Sequence, residues 1–346
     1  MPHCPICSKS VEIIYKNHPS YIKNKFYDIL FCNYCNTSFA DAIICNRNIY
    51  NEIYEKSDGL DGYERYNQYA KSIISKKKPL NYLAAQEDVY FFVAHSLKRF
   101  AKKKVKILEI GCGLGYLTYA LNKEGFSATG IDVSHSAIKM AIEKFGAYFY
   151  AADAISYAQI TNLKYDVIIA TEVIEHIPDI KSFLIQLKNL LNPEGIILLT
   201  TPNKSAFDSS ALWVTDAPPL HLWWLSEESL VQLTKSVGMH LELFNIANYN
   251  RGSHYYWKNT ESLDHPVFIP RFEEDGAIGH KKKKRLIKQL QLKLSYQGIK
   301  VIKSFLLSLG LKTTIQRLAH MKMKLQNVHR SIKPYTLYAQ ISLIDE

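Results

Sequence analysis

The stretch TEVIEHIPD places two glutamates and a histidine directly after YDVIIA, a short apolar run that is typical of a buried strand. Glu172, Glu175 and His176 stand at i, i+3 and i+4, so in a helical turn they would share one face. Another histidine, His221, follows in PPLHLWWLSEESL. Carboxylates and imidazoles together can bind a divalent metal or move a proton, or they can simply cap and orient a helix end.

A glycine-rich turn, EIGCGLG, lies between the strand pattern VKILEI and the helical pattern YLTYALNKEG. Gly111, Gly113 and Gly115 would let a ligand approach the backbone at the carboxyl edge of a parallel sheet. Asp132 ends the next strand, 21 residues beyond Gly111, which is the position from which an acid binds ribose hydroxyls. Tyr116 replaces the last glycine of a dinucleotide fingerprint, so the turn favours an adenosine ligand and argues against NAD.

Two CxxC pairs, CPIC and CNYC, contain Cys4, Cys7, Cys32 and Cys35, and 24 residues lie between the two pairs. In a reducing compartment this spacing predicts a structural zinc site, because four thiolates close a tetrahedral shell. The alternative is a pair of redox or incidental CxxC motifs. We interpret Cys45 and Cys112 as small apolar residues.

Strands alternate with helices from residue 105 onwards, which predicts an α/β fold with a doubly wound, mostly parallel sheet. The final run, TLYAQISLI, alternates well enough to be a seventh strand. If it returns to the sheet, the residues between 250 and 333 form an insertion. Residues 46–100 are rich in Tyr and Lys and predict two or three helices, broken by Pro79.

Five motifs in this order resemble the class I S-adenosylmethionine-dependent methyltransferases over about 105–250: ILEIGCGLG, the acid of GIDVS, the AAD of the third strand, YDVIIATEVIEHIPD and LLNPEGIILLTTPN. The resemblance implies S-adenosyl-L-methionine as the cofactor. It implies contacts from Glu109 and the loop of Gly111, Cys112, Gly113 and Gly115 to the methionine part, from Asp132 beside Val133 to the ribose, from Asp153 and Ala154 to the adenine edge, and from Thr171 and Glu172 to the sulfonium side. For Asp153 a simple strand-end cap is the alternative.

The EVIEH turn and the later histidine resemble two groups of O-methyltransferases, one acting on terminal RNA ribose and one in ubiquinone synthesis. The resemblance implies a divalent metal, such as Mg²⁺ or Mn²⁺, on Glu172, Glu175, His176 and His221. Such ligands suit Mn²⁺ or Zn²⁺ better than Mg²⁺. Two other interpretations stay open: His221 as a general base or substrate ligand without metal, and a structural role for all four residues. Trp223 and Trp224 either stack on a sugar face or belong to the core.

The four cysteines, the class I core and the P-P-x-H-x-x-x-x-S-x-x-S-L pattern together resemble a bacterial group associated with glycan and surface-polysaccharide synthesis. This resemblance implies O-methylation of a sugar or glycan hydroxyl. Two other hypotheses remain: an rRNA or tRNA methyltransferase, and a zinc-containing interaction protein on a degenerate methyltransferase core.

The segment 281–333 contains 12 Lys and 3 Arg without any Asp or Glu. Its charge of +15 is larger than the net charge of the whole chain, which is +11. Its interleaved apolar residues suit an amphipathic helix on anionic lipid, which would fit a lipid-linked glycan acceptor. The same charge could bind RNA phosphates. The third interpretation is a solvated helical lid over the active site.

The predicted organisation has five parts: a zinc ribbon at 1–45, a helical cap or linker at 46–100, a cofactor-binding methyltransferase core at 101–250, a basic helical insertion at 251–333 and the last core strand at 334–346. We expect a cytoplasmic protein, with contact to the inner face of the membrane if 281–333 binds lipid. The N-terminal stretch has no apolar signal-peptide region, and no window reaches the roughly 18 apolar residues of a membrane helix.

Overall fold

The computed structural model describes residues 2–41, 47–56, 63–100, 104–207, 212, 217–249, 251, 272–274 and 335–344. The predicted basic helices of 281–333 and Cys45 lie outside the described residues. Among the helices that are described, none has the length and apolar character needed to cross a membrane.

The main sheet has seven strands in the order β10–β11–β8–β7–β4–β5–β6. These strands are β4 (Lys106–Ile110), β5 (Ser127–Asp132), β6 (Phe149–Ala151), β7 (Tyr165–Thr171), β8 (Leu191–Pro202), β10 (Met239–Leu243) and β11 (Thr336–Leu343). Strands β4 to β8 pair in parallel, whereas β11 runs antiparallel to both of its neighbours. The prediction of a mostly parallel sheet, joined by a strand from TLYAQISLI, is confirmed.

Helices cover both faces of this sheet because its strands are apolar on both sides. Along β7, Ile168 and Ala170 belong to one buried cluster, while Val167 and Ile169 belong to another. Alternate side chains of a strand point to opposite faces, so the two clusters are the cores above and below the sheet. The helices of the core are α5 (Tyr116–Lys123), α6 (His135–Phe145), α7 (Ala154–Ile160), α8 (Ile180–Leu190) and α9 (Glu227–Ser236).

The helices that precede the core differ in detail from the prediction. Four are described where two or three were predicted: α1 (Arg47–Glu55), α2 (Glu64–Ser72), α3 (Pro79–Gln86) and α4 (Asp88–Ser96). Pro79 begins α3, where its missing N–H removes no helical bond. Glu87 has extended backbone angles and separates α3 from α4.

A second sheet contains the cysteine motifs. Its strands are antiparallel in the order β1 (Glu12–Pro19), β2 (Phe26–Cys32), β3 (Thr37–Ala40) and β9 (Trp223–Trp224). We call the part formed by residues 2–41 the ribbon. The fourth strand comes from the distant PPLHLWW segment, so this sheet is completed by residues of the core. The sequence did not predict that pairing.

Candidate active site

The carboxyl ends of the parallel strands meet at one edge of the main sheet, as ligand sites of such folds do. Strand β4 leads into the glycine loop, and β5 ends at Asp132. Strand β7 leads into a 3₁₀ turn, Ile174–His176, that carries the EVIEH residues. The topology therefore brings the predicted cofactor loop and the predicted metal residues to the same edge.

The glycine loop requires glycine at each of its three positions. Gly111, Gly113 and Gly115 have φ angles of 69°, 50° and 76°, a left-handed conformation that other residues rarely adopt. A Cβ on Gly111 would lie 2.6 Å from Val173 of the next turn, and one on Gly115 would lie 2.6 Å from Phe149. Neighbouring side chains therefore pack directly against the loop backbone.

Glu109 lies beneath the loop with 4% of its surface exposed. Its carboxylate accepts a hydrogen bond from the Thr118 hydroxyl, and burial raises its pKa to about 8. A cationic group of a ligand would favour the ionised form of this carboxylate. Cys112 is buried beside it, and its amide donates to Ile131 at 3.0 Å.

Asp132 ties the loop to the end of β5. Its carboxylate accepts hydrogen bonds from the backbone amides of Gly113 at 2.9 Å and Ser134 at 2.8 Å. Burial raises its pKa, and these hydrogen bonds oppose the shift. Val133, next to it, is half-buried. The acid therefore holds the loop in the position where the resemblance places a ribose.

Asp153 acts as a helix cap. Its carboxylate accepts from the Ser156 amide at 2.8 Å at the start of α7, and Ala154 is the buried first residue of that helix. The cap was the alternative to an adenine contact, and Ser156 donates to both carboxylate oxygens, since its hydroxyl lies 3.1 Å from the second one. Thr171 ends β7 and is half-buried beside the turn.

Glu175, His176 and His221 form a cluster at this edge. Each offers a ligand atom, and those atoms all lie within 4.8 Å of one another. The Glu175 carboxylate accepts from the Thr201 hydroxyl at 2.9 Å, and its Oε1 lies 3.9 Å from His176 Nε2. Two ligands of one ion can be as far apart as two metal–ligand bonds, about 4.2 Å, so this pair fits a shared metal.

Burial keeps both imidazoles of this cluster neutral. It lowers the pKa of His176 and of His221 to about 3, and the two rings meet edge to face with centroids 4.5 Å apart. His176 Nδ1 lies 2.6 Å from the Leu220 carbonyl, which can only accept, so Nδ1 carries the proton. The Nε2 atom of His176 is then available as a ligand, and a neutral imidazole is the form that binds metal.

Glu172 lies outside this cluster of ligand atoms. Its backbone is left-handed, with φ of 53°, and precedes the 3₁₀ turn. Its carboxylate accepts from the Thr200 hydroxyl at 2.8 Å. The structure thus brings together three of the four residues predicted to share a metal.

Trp223 and Trp224 belong to the core. Each has 1% of its surface exposed, so neither presents a face to a sugar. The core interpretation of the two tryptophans is therefore correct, and the stacking interpretation is wrong.

Helix α1 contributes residues that the sequence interpretation missed. A Cβ on Gly113 would lie 2.8 Å from the Tyr54 hydroxyl, so this side chain covers the glycine loop. The Ser134 hydroxyl donates to Asn51 at 2.8 Å, and the Tyr50 ring meets His176 edge-on at 6.0 Å. Tyr50 and Tyr54 are four residues apart and share a helix face, which was the signal available in the sequence.

The four predicted zinc ligands come together in the ribbon. Cys4 Sγ lies 3.7 Å from Cys35 Sγ, and Cys7 Sγ lies 3.5 Å from Cys32 Sγ. A tetrahedron with zinc–sulfur bonds of about 2.3 Å has sulfur–sulfur edges of about 3.8 Å. None of the four cysteines forms a disulfide, and their spacing fits zinc. Cys112 is not part of this group.

A family model described as a methyltransferase domain matches residues 85–242. This span runs from the end of α3 into β10, and the glycine loop, Asp132 and the Glu175 cluster all lie within it. The matched region overlaps the stretch 105–250 in which the sequence resembles the class I methyltransferases.

Two curated relatives are ubiquinone biosynthesis O-methyltransferases. The protein of Rickettsia typhi is 36% identical over 109 residues, which cover 30% of this chain and 43% of the relative. The mitochondrial protein of Homo sapiens is 29% identical over 184 residues, which cover 47% of this chain and 49% of the relative. The chain thus spans about half the length of these curated relatives.

Solved structures with some similarity to this chain include a SAM-dependent methyltransferase from Archaeoglobus fulgidus, with a TM-score of 0.40 and 17% identity over 72% of this chain and 92% of that one. Another is the plantazolicin methyltransferase BamL, with a TM-score of 0.43 and 15% identity over 85% of this chain and 96% of that one. The strand order of the main sheet shows the α/β architecture without these similarities.

Proposed function

We propose that this chain is an S-adenosylmethionine-dependent O-methyltransferase. The observation that carries the proposal is one sheet edge on which the glycine loop and Asp132 adjoin the cluster of Glu175, His176 and His221. The methyltransferase domain match spans both parts.

S-adenosylmethionine, when bound, supplies a methyl group that is already activated as a sulfonium. The residues of this chain then have to hold the cofactor, align the acceptor oxygen and take its proton. Gly111, Gly113 and Gly115 hold the loop in its left-handed conformation, and buried Glu109 offers a carboxylate to the ammonium group of the methionine part. Asp132 is the candidate partner of the ribose hydroxyls.

The acceptor hydroxyl must lose its proton as the methyl group is transferred. His176 and His221 are weak bases, because burial lowers both pKa values to about 3. A divalent ion held by these imidazoles and Glu175 would supply the acidity, since a bound metal lowers the pKa of a coordinated hydroxyl. Two nitrogens and one carboxylate suit Mn²⁺ or Zn²⁺ better than Mg²⁺. The geometry therefore favours the metal interpretation over a lone general base.

For the acceptor we propose a sugar or glycan hydroxyl, on the resemblance of the cysteine ribbon and the PPLH segment to glycan-associated proteins. The names of the curated relatives favour a second candidate, a phenolic hydroxyl. A phenol has a pKa of about 10, so it is the more easily ionised of the two acceptors.

The other hypotheses have less support. Binding to RNA or to anionic lipid through 281–333 concerns residues outside the described ones, and we keep both as proposals. An interaction protein on a degenerate core would not need the buried Glu109, the three left-handed glycines and the Asp132 bonds that are all present here.

The experiment that tests the proposal is methyl transfer from labelled S-adenosylmethionine to two acceptor panels, one of sugars and one of catechols, with and without Mn²⁺. We expect transfer to oxygen that depends on Mn²⁺. Transfer to catechols alone would replace the glycan acceptor by a phenol. No transfer to either panel, together with no cofactor binding, would contradict the proposal.

A further inference from the structure

The ribbon holds the segment that carries His221 on both sides of that residue. Before it, the Tyr21 amide donates to the Pro218 carbonyl at 2.9 Å. After it, the Ala40 amide donates to the Leu222 carbonyl at 3.0 Å. A histidine held at both ends by another sheet has little freedom to move away from its partners.

The pairing continues through β9. Phe39 and Ser38 of β3 pair with Trp223 and Trp224, so the chain beyond His221 is a strand of the ribbon sheet. The Phe39 and Trp223 rings also pack together, with centroids 5.2 Å apart. A cysteine of the ribbon takes part directly, because the Ser226 hydroxyl donates to the Cys35 carbonyl at 2.7 Å.

The same short segment binds the turn that carries Glu175 and His176. The Leu222 amide donates to the Glu175 carbonyl at 2.8 Å. The indole N–H of Trp223 donates to the Ile177 carbonyl, also at 2.8 Å. Trp223 therefore contacts the ribbon with its backbone and ring, and its Nε1 contacts the turn that carries Glu175 and His176.

We propose that the zinc ribbon positions the Glu175–His176–His221 cluster, and that Trp223 is the positioning residue that joins them. The inference rests on the proposed function in one respect, because that function assigns a divalent metal to the cluster. The mechanism is geometric. Ribbon strand β3 fixes β9, β9 fixes the backbone around His221, and the Trp223 indole fixes the adjoining turn. Outer partners of this kind usually alter metal affinity 10- to 100-fold when they are removed.

Trp224 provides a matched control. It is the adjacent residue, is equally buried, and packs against Ile29 and Ala40 on the other side of the ribbon sheet. Within the part of the chain that the structure describes, its Nε1 atom has no hydrogen-bond partner. Trp224→Phe and Trp223→Phe thus remove the same atoms, but only Trp223→Phe breaks a link to the turn.

The test compares the full-length, zinc-loaded wild type with these two variants. Mn²⁺ affinity is measured by paramagnetic resonance, and S-adenosylmethionine affinity is measured by calorimetry. We expect Trp223→Phe to bind Mn²⁺ about tenfold more weakly, with unchanged cofactor affinity and zinc content, and Trp224→Phe to match the wild type. Where the wild type binds Mn²⁺, equal Mn²⁺ affinity in the two variants would overturn the proposal.

Hydrogen exchange tests the positioning without relying on metal binding. We expect amides in 217–226 to exchange about tenfold faster in Trp223→Phe and in the zinc-site variant Cys7→Ser than in Trp224→Phe. Unchanged exchange in both would overturn the inference. A wild type that binds no Mn²⁺ would contradict the metal role in the proposed function, and the exchange comparison would then decide the positioning role by itself.

Discussion

The two clusters of metal-ligating side chains differ in how they are built. The cysteine cluster uses four ligands of one chemical type, and its sulfur–sulfur distances of 3.5 and 3.7 Å suit a closed tetrahedral shell. The cluster at the sheet edge uses one carboxylate and two imidazoles. Its three ligands leave room for another group on a bound ion, as catalytic sites do.

The supporting contacts differ as well. Each residue of the sheet-edge cluster is oriented by a neighbour: Glu175 by the Thr201 hydroxyl, His176 by the Leu220 carbonyl, and His221 by the backbone links of the PPLH segment. We therefore propose that the cysteine cluster stabilises the fold and that the sheet-edge cluster performs the chemistry.

The largest expected effect is loss of the cysteine cluster. In Cys4→Ser we expect no bound zinc and a fall in unfolding free energy of roughly 4 kcal/mol or more, because zinc binding is coupled to folding. Metal analysis and thermal unfolding measure these. Cys112→Ser is the control and should keep its zinc. A Cys4→Ser protein with wild-type stability would contradict the structural role of the cysteine cluster.

The sheet-edge cluster should affect rate more than stability. For His221→Ala we expect kcat to fall about 10²- to 10⁴-fold with zinc content unchanged, because activation of the acceptor hydroxyl is lost. A chelator should inhibit the wild type, and Mn²⁺ should restore it. Glu172→Gln, outside the cluster, should still respond to Mn²⁺. A wild-type kcat that is the same with and without the chelator would show that the cluster binds no catalytic metal.

The cofactor-binding edge of the sheet should show a pH dependence that originates in one buried carboxyl group. The pKa of Glu109 is raised from 4.5 to about 8, so the folded protein binds a proton that the unfolded chain has lost in this interval. Stability from this group is complete below pH 4.5 and is lost as the pH rises through about 8. We expect this loss to be on the order of a few kcal/mol.

Thermal unfolding between pH 5 and pH 9 measures this effect. The wild type should lose more stability over that range than Glu109→Gln, which does not titrate. Parallel curves for the two proteins would show that Glu109 is ionised throughout.

The smallest expected effect concerns the orientation of Glu175. Thr201→Val removes the hydroxyl that donates to Glu175 and should weaken Mn²⁺ binding about tenfold. Thr200→Val is the matched control, because its hydroxyl donates to Glu172 instead. Titration with Mn²⁺ compares the two. If both variants lose the same affinity, Glu172 belongs with the cluster.

Local patterns predicted most of the core. Apolar strand runs and the glycine turn both depend on residues close in sequence. The joining of the two CxxC pairs was also predictable, because zinc chemistry restricts which cysteines can meet.

Contacts between distant segments were not predictable from these patterns. The two-residue strand at Trp223 is too short for a periodic signal, and its pairing with Phe39 depends on how the ribbon packs. The position of Tyr54 over Gly113 likewise depends on where α1 lies. Glu172 was placed with Glu175 by assuming one helical turn, but its left-handed backbone directs it to Thr200.

The most direct test of the account is calorimetric titration of the full-length protein with S-adenosylmethionine. The account predicts that the wild type binds one equivalent and that Asp132→Asn binds at least about tenfold more weakly, since a hydrogen bond to a charged group is lost. No binding by the wild type, or equal binding by Asp132→Asn, would contradict the claim that the glycine loop and Asp132 hold the cofactor.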